Sequence, residues 1–268
     1  MDDAMTKHLL TEMRTLAYLA GIKAMEIYQT DFSVEGKADA SPVTEADRLG
    51  EEIILAGLTK TFPEIPVLAE EAASEGKIPT LGERFFLVDP LDGTKEFINK
   101  TGEFTVNIGL IENGAPVMGV VYAPALGKLY EGAAGYGALL YELGGDAGLN
   151  ESNKKQIKTR SAPEAGLTAV ASRSHRSAET DAFLETLNVT DFAAAGSSLK
   201  FCLIAEGQAD VYPRLGRTME WDTGAGQAVL EAAGGAVFDH ETGEPLRYGK
   251  ESRGYDNPHF IAWGKATA

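Results

Sequence analysis

The segment Asp89-Pro90-Leu91-Asp92-Gly93-Thr94 follows directly on the apolar run 85–88, and its residue types suggest chemistry more directly than any other stretch of the chain. Two carboxylates three residues apart can converge where a strand turns, and Gly93 lets the backbone come close to a ligand. The Leu91 carbonyl, held between the acids, could complete an all-oxygen set. Hard divalent cations favour such a set, and magnesium also keeps waters and substrate phosphate oxygens in its shell. Three more acids occupy similar settings: Glu70 at the end of the apolar run 66–69, Asp47 in the first turn of an expected helix, and Asp222 beside Trp221 where another helix should begin.

Each of these residues also has a plain structural reading. Asp89 or Asp92 could cap a helix through Thr94 and Lys95, and Thr44-x-x-Asp47 has the form of a capping box with Asp in place of Glu. Asp222 is a good N-cap, and Glu70 could be one of an exposed pair with Glu71. Lys200, with Ser197 and Ser198 at the opening of an expected helix, offers donors for a phosphate, or is a solvated surface lysine. The one cysteine, Cys202, lies among Phe201, Leu203 and Ile204 and reads as a buried structural thiol.

The elements that must position these groups are marked by hydrophobic period. Leu9, Leu10, Met13, Leu16, Ala17, Ala20 and Ile27 recur at helical spacing, so a helix should end near Tyr28. A second helix is expected over 44–58, stopped by Pro63 and Pro66. Runs 66–69 and 85–88 read as buried strands ending in acid. Runs 104–111 and 117–122 flank Asn113-Gly114, a hairpin signal whose connection could exceed two residues, and 129–141 should continue the antiparallel sheet. After an aperiodic stretch at 144–159, a strand is expected at 167–171, helices at 178–187 and 199–206, and a strand at 209–212. Asp222 should cap a helix reaching Ala233, closed by Gly234-Gly235 and followed by a strand at 236–238. The whole reads as an α/β or α+β layered sandwich, with an α+β half over 1–150 that binds metal on an antiparallel sheet and an α/β half over 151–268 that completes the pocket.

Composition narrows the function. The 268 residues carry 24 Lys and Arg against 40 Asp and Glu, a net charge of −16, which argues against a surface for polymeric nucleic acid. A small phosphorylated substrate stays compatible, because bound cations reverse the field within a pocket. One cysteine excludes an intramolecular disulfide and fits a reducing cytoplasm. The N-terminus lacks the pattern of a secretory signal, and no apolar run has the length of a membrane span.

Taken together, Pro42-Val43-Thr44-Glu45-Ala46-Asp47, Ala69-Glu70-Glu71, Asp89-Pro90-Leu91-Asp92-Gly93-Thr94 and Trp221-Asp222-Thr223-Gly224-Ala225-Gly226 resemble, in order, the signatures of the inositol monophosphatase superfamily. Within it, Asp92 to Phe97, Ser172-Arg173-Ser174-His175 and the run from Gly196 through Lys200 to Asp210 are similar to CysQ-type 3′(2′),5′-bisphosphate nucleotidases. Ala69 departs from the glycine that many members have there. The resemblance implies alternating αβαβα layers and two or three Mg2+ ions, one held by Glu70, Asp89 and the Leu91 carbonyl and another by Asp89, Asp92 and Asp222. It implies catalytic roles for Asp47, Thr94 and Glu70, with Thr94 hydrogen-bonded to Asp47 and orienting the attacking water. Substrate contacts are implied at Glu70, Leu91, Asp92, Gly93, Thr94, Ser172, His175, Ser197, Lys200 and Asp222. The implied reaction takes the 3′-phosphate from adenosine 3′,5′-bisphosphate, is lithium-sensitive and serves sulfate assimilation. Inositol phosphate or fructose bisphosphate hydrolysis and a non-catalytic binding role are the alternatives. A cytoplasmic setting is implied, with peripheral contact at the inner membrane left open and the oligomeric state unassigned.

Overall fold

A computed structural model describes residues 2–30, 34–36, 42–143, 148–171 and 177–265, with backbone only at 34–36, 42–44 and 151. Helix α1 (Asp3–Tyr28) leads to a small ribbon of β1 (Val34–Gly36) and β2 (Pro42–Thr44), then α2 (Glu45–Thr61), β3 (Val67–Ala69), α3 (Glu70–Ser74), β4 (Arg84–Asp92) and α4 (Thr94–Ile98). Strands β5 (Thr105–Glu112), β6 (Ala115–Ala123), β7 (Lys128–Ala133), β8 (Gly137–Glu142) and β9 (Lys154–Ile157) follow. The chain then runs through β10 (Leu167–Ala171), α5 (Ala178–Glu185), β11 (Val189–Ala194), α6 (Leu199–Ala205), β12 (Val211–Arg214), α7 (Gly224–Ala232), β13 (Ala236–Asp239) and β14 (Phe260–Trp263).

Strands β3 to β9 form one sheet in sequence order, antiparallel except for the β3–β4 pair. The second sheet has the order β11-β10-β12-β14-β13. The alternation in β4 sets the layers, because successive side chains point to opposite faces. Phe86 and Val88 join Leu9, Met13, Leu16 and Ile54 in a core beneath α1 and α2. Phe85 and Leu87 join Phe201, Cys202, Val229 and Phe260 in a core between the sheets, where α6 and α7 lie. Leu184 of α5 packs with Val211 and Ile261 on the far face. The order is thus α1/α2, sheet, α6/α7, sheet, α5, the expected αβαβα arrangement. Each large side chain so buried contributes about 1.5–3 kcal/mol.

Helix α7 lies unusually close to the first sheet because Gly109, Gly119 and Gly132 stand side by side on β5, β6 and β7. A Cβ at Gly119 would fall 2.2 Å from the Ala225 carbonyl oxygen, and one at Gly132 would fall 2.8 Å from Val229 Cα. This glycine trough fixes how deep α7 sits, and hence where the residues just before it meet the end of β4.

Several expectations shift in detail. Asn113 and Gly114, both at positive φ, make a two-residue turn between Glu112 and Ala115, the shorter of the connections the sequence left open. Strand β9 pairs with β8, so the first sheet takes a strand from beyond residue 150. The N-cap of α7 is Thr223, not Asp222, whose carboxylate is turned elsewhere. No helix among the described residues is long and apolar enough to cross a membrane.

Candidate active site

Strand β4 carries its two acids to the point where its pairing with β5 slips, between Asp89 and Asp92. Asp89 is buried, and its Oδ1 accepts the Leu91 amide at 3.0 Å, a short loop that holds the Leu91 carbonyl in place. Gly93 then turns the chain at φ +95, ψ 43, the left-handed region, into α4. A Cβ there would lie 2.2 Å from Ser197 Oγ, so glycine is required on both conformational and steric grounds. The Thr94 hydroxyl lies 3.4 Å from Asp47 Oδ2 and 3.5 Å from the Leu91 carbonyl. It has one proton and so donates to one of them at a time.

Glu70 opens α3 at the end of β3. What fixes it is Glu51, a residue the sequence did not single out: its two carboxylate oxygens accept the amides of Glu71 and Ala72, each at 2.8 Å. Burial lifts Glu51 to about 7, opposed by those two amides. Asp47, in the first turn of α2, is buried and reaches the site through Thr94. Asp222 precedes α7 and accepts the Met219 amide on Oδ2 at 2.9 Å. Its neighbour Glu220 is fully buried and grips the Gly249 and Lys250 amides, each at 2.8 Å, which anchors the loop that delivers Asp222.

From the second half, Ser197 and Ser198 brace these acids. Ser198 Oγ lies 3.2 Å from Asp92 Oδ2 and 2.7 Å from the Asp222 carbonyl. Ser197, at φ 52, directs its hydroxyl to the Asp92 carbonyl at 2.7 Å and the Glu103 carbonyl at 3.0 Å. Its hydroxyl therefore supports the Asp92 turn, although the residue stays on the pocket wall. Lys200 is buried, donates to the Ser197 carbonyl at 2.9 Å and lies over the Tyr212 ring, which replaces the reading of it as a solvated lysine. Burial lowers it to about 8, with Asp92 opposing that shift and Arg214 adding to it. Ser172 and His175 lie outside the described residues.

One pocket of about 250 Å3 gathers Glu70, Asp89, Leu91, Asp92, Gly93, Thr94, Ser197, Lys200 and Asp222. Burial, then the charges of Glu70, Asp92, Asp222 and Asp47, push Asp89 well above the ordinary carboxylate range. Burial and then Asp92 and Glu70 act likewise on Asp222. Crowded buried acids of this kind call for a cation. Among the described residues no group of three or more His, Cys, Asp or Glu side chains stands close enough together to hold a metal ion as it is. The fit to magnesium lies in the donors: carboxylates and one carbonyl, all oxygen, around a hollow with room for water and phosphate oxygens.

Arg214, at the end of β12, also lines this pocket and was not expected from the sequence. Its only signal in the sequence was its place, two residues beyond the expected strand 209–212 in a strongly acidic chain.

The profile of the inositol monophosphatase family matches residues 6–262. The chain is 45% identical over 254 residues to the 3′(2′),5′-bisphosphate nucleotidase CysQ of Escherichia coli, covering 94% of this chain and 98% of that one. The crystal structure of CysQ from Bacteroides thetaiotaomicron superposes with a TM-score of 0.81 at 40% identity, over 97% of this chain and 98% of the other. An inositol monophosphatase from Anabaena superposes with a TM-score of 0.74 at 26% identity, over 97% and 92%. With the layers, the acids on β4 and the match all agreeing over nearly its full length, the chain belongs to the inositol monophosphatase family.

Proposed function

We propose that this protein is a magnesium-dependent phosphomonoesterase that removes the 3′-phosphate of adenosine 3′,5′-bisphosphate, giving AMP and phosphate. The observation that carries the reading is one pocket whose wall holds the acids Glu70, Asp89, Asp92 and Asp222 together with the cations Lys95, Lys200 and Arg214. A substrate with two phosphates suits that mixture: one phosphate for the metal acids, one for a cation. The relatives named as bisphosphate nucleotidases match across 98% of their length, which favours this substrate over an inositol phosphate.

In this reading Glu70, Asp89 and the Leu91 carbonyl would hold one magnesium, and Asp89, Asp92 and Asp222 would hold a second. Magnesium bound there supplies charge stabilisation for the transferring phosphoryl group and acidifies water. The chain's own part is to orient. Thr94, donating to Asp47, keeps its hydroxyl oxygen free to accept from the attacking water and so points that water's lone pair at phosphorus. The new P–O bond forms as the bond to the ribose 3′-oxygen breaks; the attacking water gives up a proton to solvent and the leaving ribose oxygen takes one from it, so the step is balanced. Gly93 keeps the wall low enough for the phosphate to approach. Such a reaction fits the recycling of a sulfate-assimilation by-product in the cytoplasm, with lithium as an inhibitor that occupies a magnesium position.

Phosphate release from adenosine 3′,5′-bisphosphate and from inositol 1-phosphate, compared in magnesium, tests the substrate. The bisphosphate is expected to react with the higher kcat/KM. Equal or faster turnover of inositol 1-phosphate would sink the nucleotide reading.

A further inference from the structure

We infer that Asn107 is a positioning residue for the metal acids: its side-chain amide ties Asp89 to the start of α7, where Asp222 stands. The inference rests on the magnesium site proposed above. Asn107 is fully buried on β5, and neither its Nδ2 nor its Oδ1 has a hydrogen-bond partner among the described residues. Native proteins seldom leave buried donors and acceptors unmet. An apolar side chain would fill the same space without the cost of burying an amide, so the amide calls for a polar role.

Its place on the strand says what that role serves. Val106, Ile108 and Leu110 of β5 point into the core beneath α1 and α2. Thr105, Asn107, Gly109 and Ile111 therefore face the other way, toward α7. On β4, Phe85 and Leu87 share that side, and Asp89 continues it. Asp89 and Asn107 are direct cross-strand partners, which sets their Cβ atoms about 4.5–5.5 Å apart. Thr105, opposite Asp92, likewise buries a hydroxyl that has no partner among the described residues.

The start of α7 lies over this polar strip. A Cβ at Gly109 would fall 2.9 Å from the Ala225 amide nitrogen. Ser198 bonds both Asp92 and the Asp222 carbonyl, which places Asp222 at the Thr105 end. The chain from Asp222 to Ala225 thus runs over the part of β5 that holds Asn107, and no side chain caps the helix there. A carboxamide has donors for the Asp89 carboxylate and an acceptor for the uncapped amides at once. The gaps exceed hydrogen-bond length, so the links run through buried water. The effect is to fix the separation of Asp89 and Asp222, two acids assigned to the same magnesium.

The test measures magnesium binding by calorimetry, without substrate, for wild type, Asn107→Leu, Asn107→Ala and Asn107→Ser, beside the Tm of each protein in chelator. Leu is close to Asn in size and carries no polar atom, so its Tm is expected to stay close to that of wild type. Its magnesium affinity is expected to fall by about 10- to 100-fold. Ser keeps a hydroxyl and is expected to bind magnesium more tightly than Ala, and Ala serves if Leu fails to fold. Wild-type affinity in a folded Leu or Ala variant overturns the inference while the magnesium site stands. A loss of affinity that only follows Tm from variant to variant overturns it too, because that is the mark of a structural role. Wild type that binds no magnesium overturns the site and the inference together.

Discussion

Glu51 touches no pocket atom in the roles assigned above, yet it decides where Glu70 stands. Both of its oxygens are committed to consecutive amides at the start of α3. Glutamine at this position keeps one acceptor and turns an NH2 toward the other amide, so one amide loses its partner. Groups that orient a metal ligand typically cost 10- to 100-fold in affinity or activity when lost. For Glu51→Gln the half-saturating magnesium concentration in the phosphatase assay is accordingly expected to rise by about 10-fold or more. A magnesium titration that superimposes on that of wild type would show that α3 holds Glu70 without this clamp. Glu70 and Asp89, two of the acids we assign to magnesium, stood out in the sequence because they end apolar runs. Glu51 and Glu220 did not, because their partners are main-chain amides 20 and 29 residues away, with no side-chain pattern to betray them.

At the level of elements, the active site is set by how far α7 descends into the glycine trough. Gly119→Ala places a methyl group 2.2 Å from the Ala225 carbonyl oxygen, and a backbone contact of that kind yields only if the helix moves. The expected cost is about 1–3 kcal/mol of stability. Because Asp222 precedes the helix, kcat should fall too, by about 100-fold for an ångström of misplacement. Gly82→Ala, where a Cβ meets nothing within 4 Å, is the matching control. A Gly119→Ala enzyme with wild-type kcat would detach the trough from catalysis. The strong elements were read correctly for reasons of pattern: the α1 stripe and the alternation in β4 are long enough to show their period. Strand β9 was missed because only Ile157 of its four residues is buried, and β11 because no residue in it is fully buried. Strand β14 is a four-residue apolar run that periodicity cannot assign. Asp222 looked like a cap because its residue type suits one; its carboxylate instead takes the Met219 amide.

The molecule as a whole concentrates repulsion in one place. In the metal-free protein, burial followed by neighbouring charge holds Asp89 and Asp222 well above their ordinary value of 3.8. A carboxyl whose pKa rises on folding binds its proton more tightly in the folded chain than in the unfolded one. Folding stability from these groups is therefore lost as pH climbs from 3.8 through the raised values. Magnesium, held as proposed by the folded, deprotonated cluster, would offset that loss. In chelator, Tm is expected to fall as pH climbs above 3.8, and the gain in Tm on adding magnesium is expected to grow over the same rise. A magnesium gain that is flat or shrinks with rising pH would contradict this picture of the cluster.

The most direct test of the account follows the phosphorus NMR spectrum of adenosine 3′,5′-bisphosphate with the enzyme, first in chelator and then with magnesium added. The account requires both nucleotide signals to persist in chelator. After magnesium, the 3′-phosphate signal should give way to inorganic phosphate while the 5′-phosphate signal remains as AMP. Loss of the 5′-phosphate, cleavage in chelator, or two unchanged signals after magnesium would contradict it.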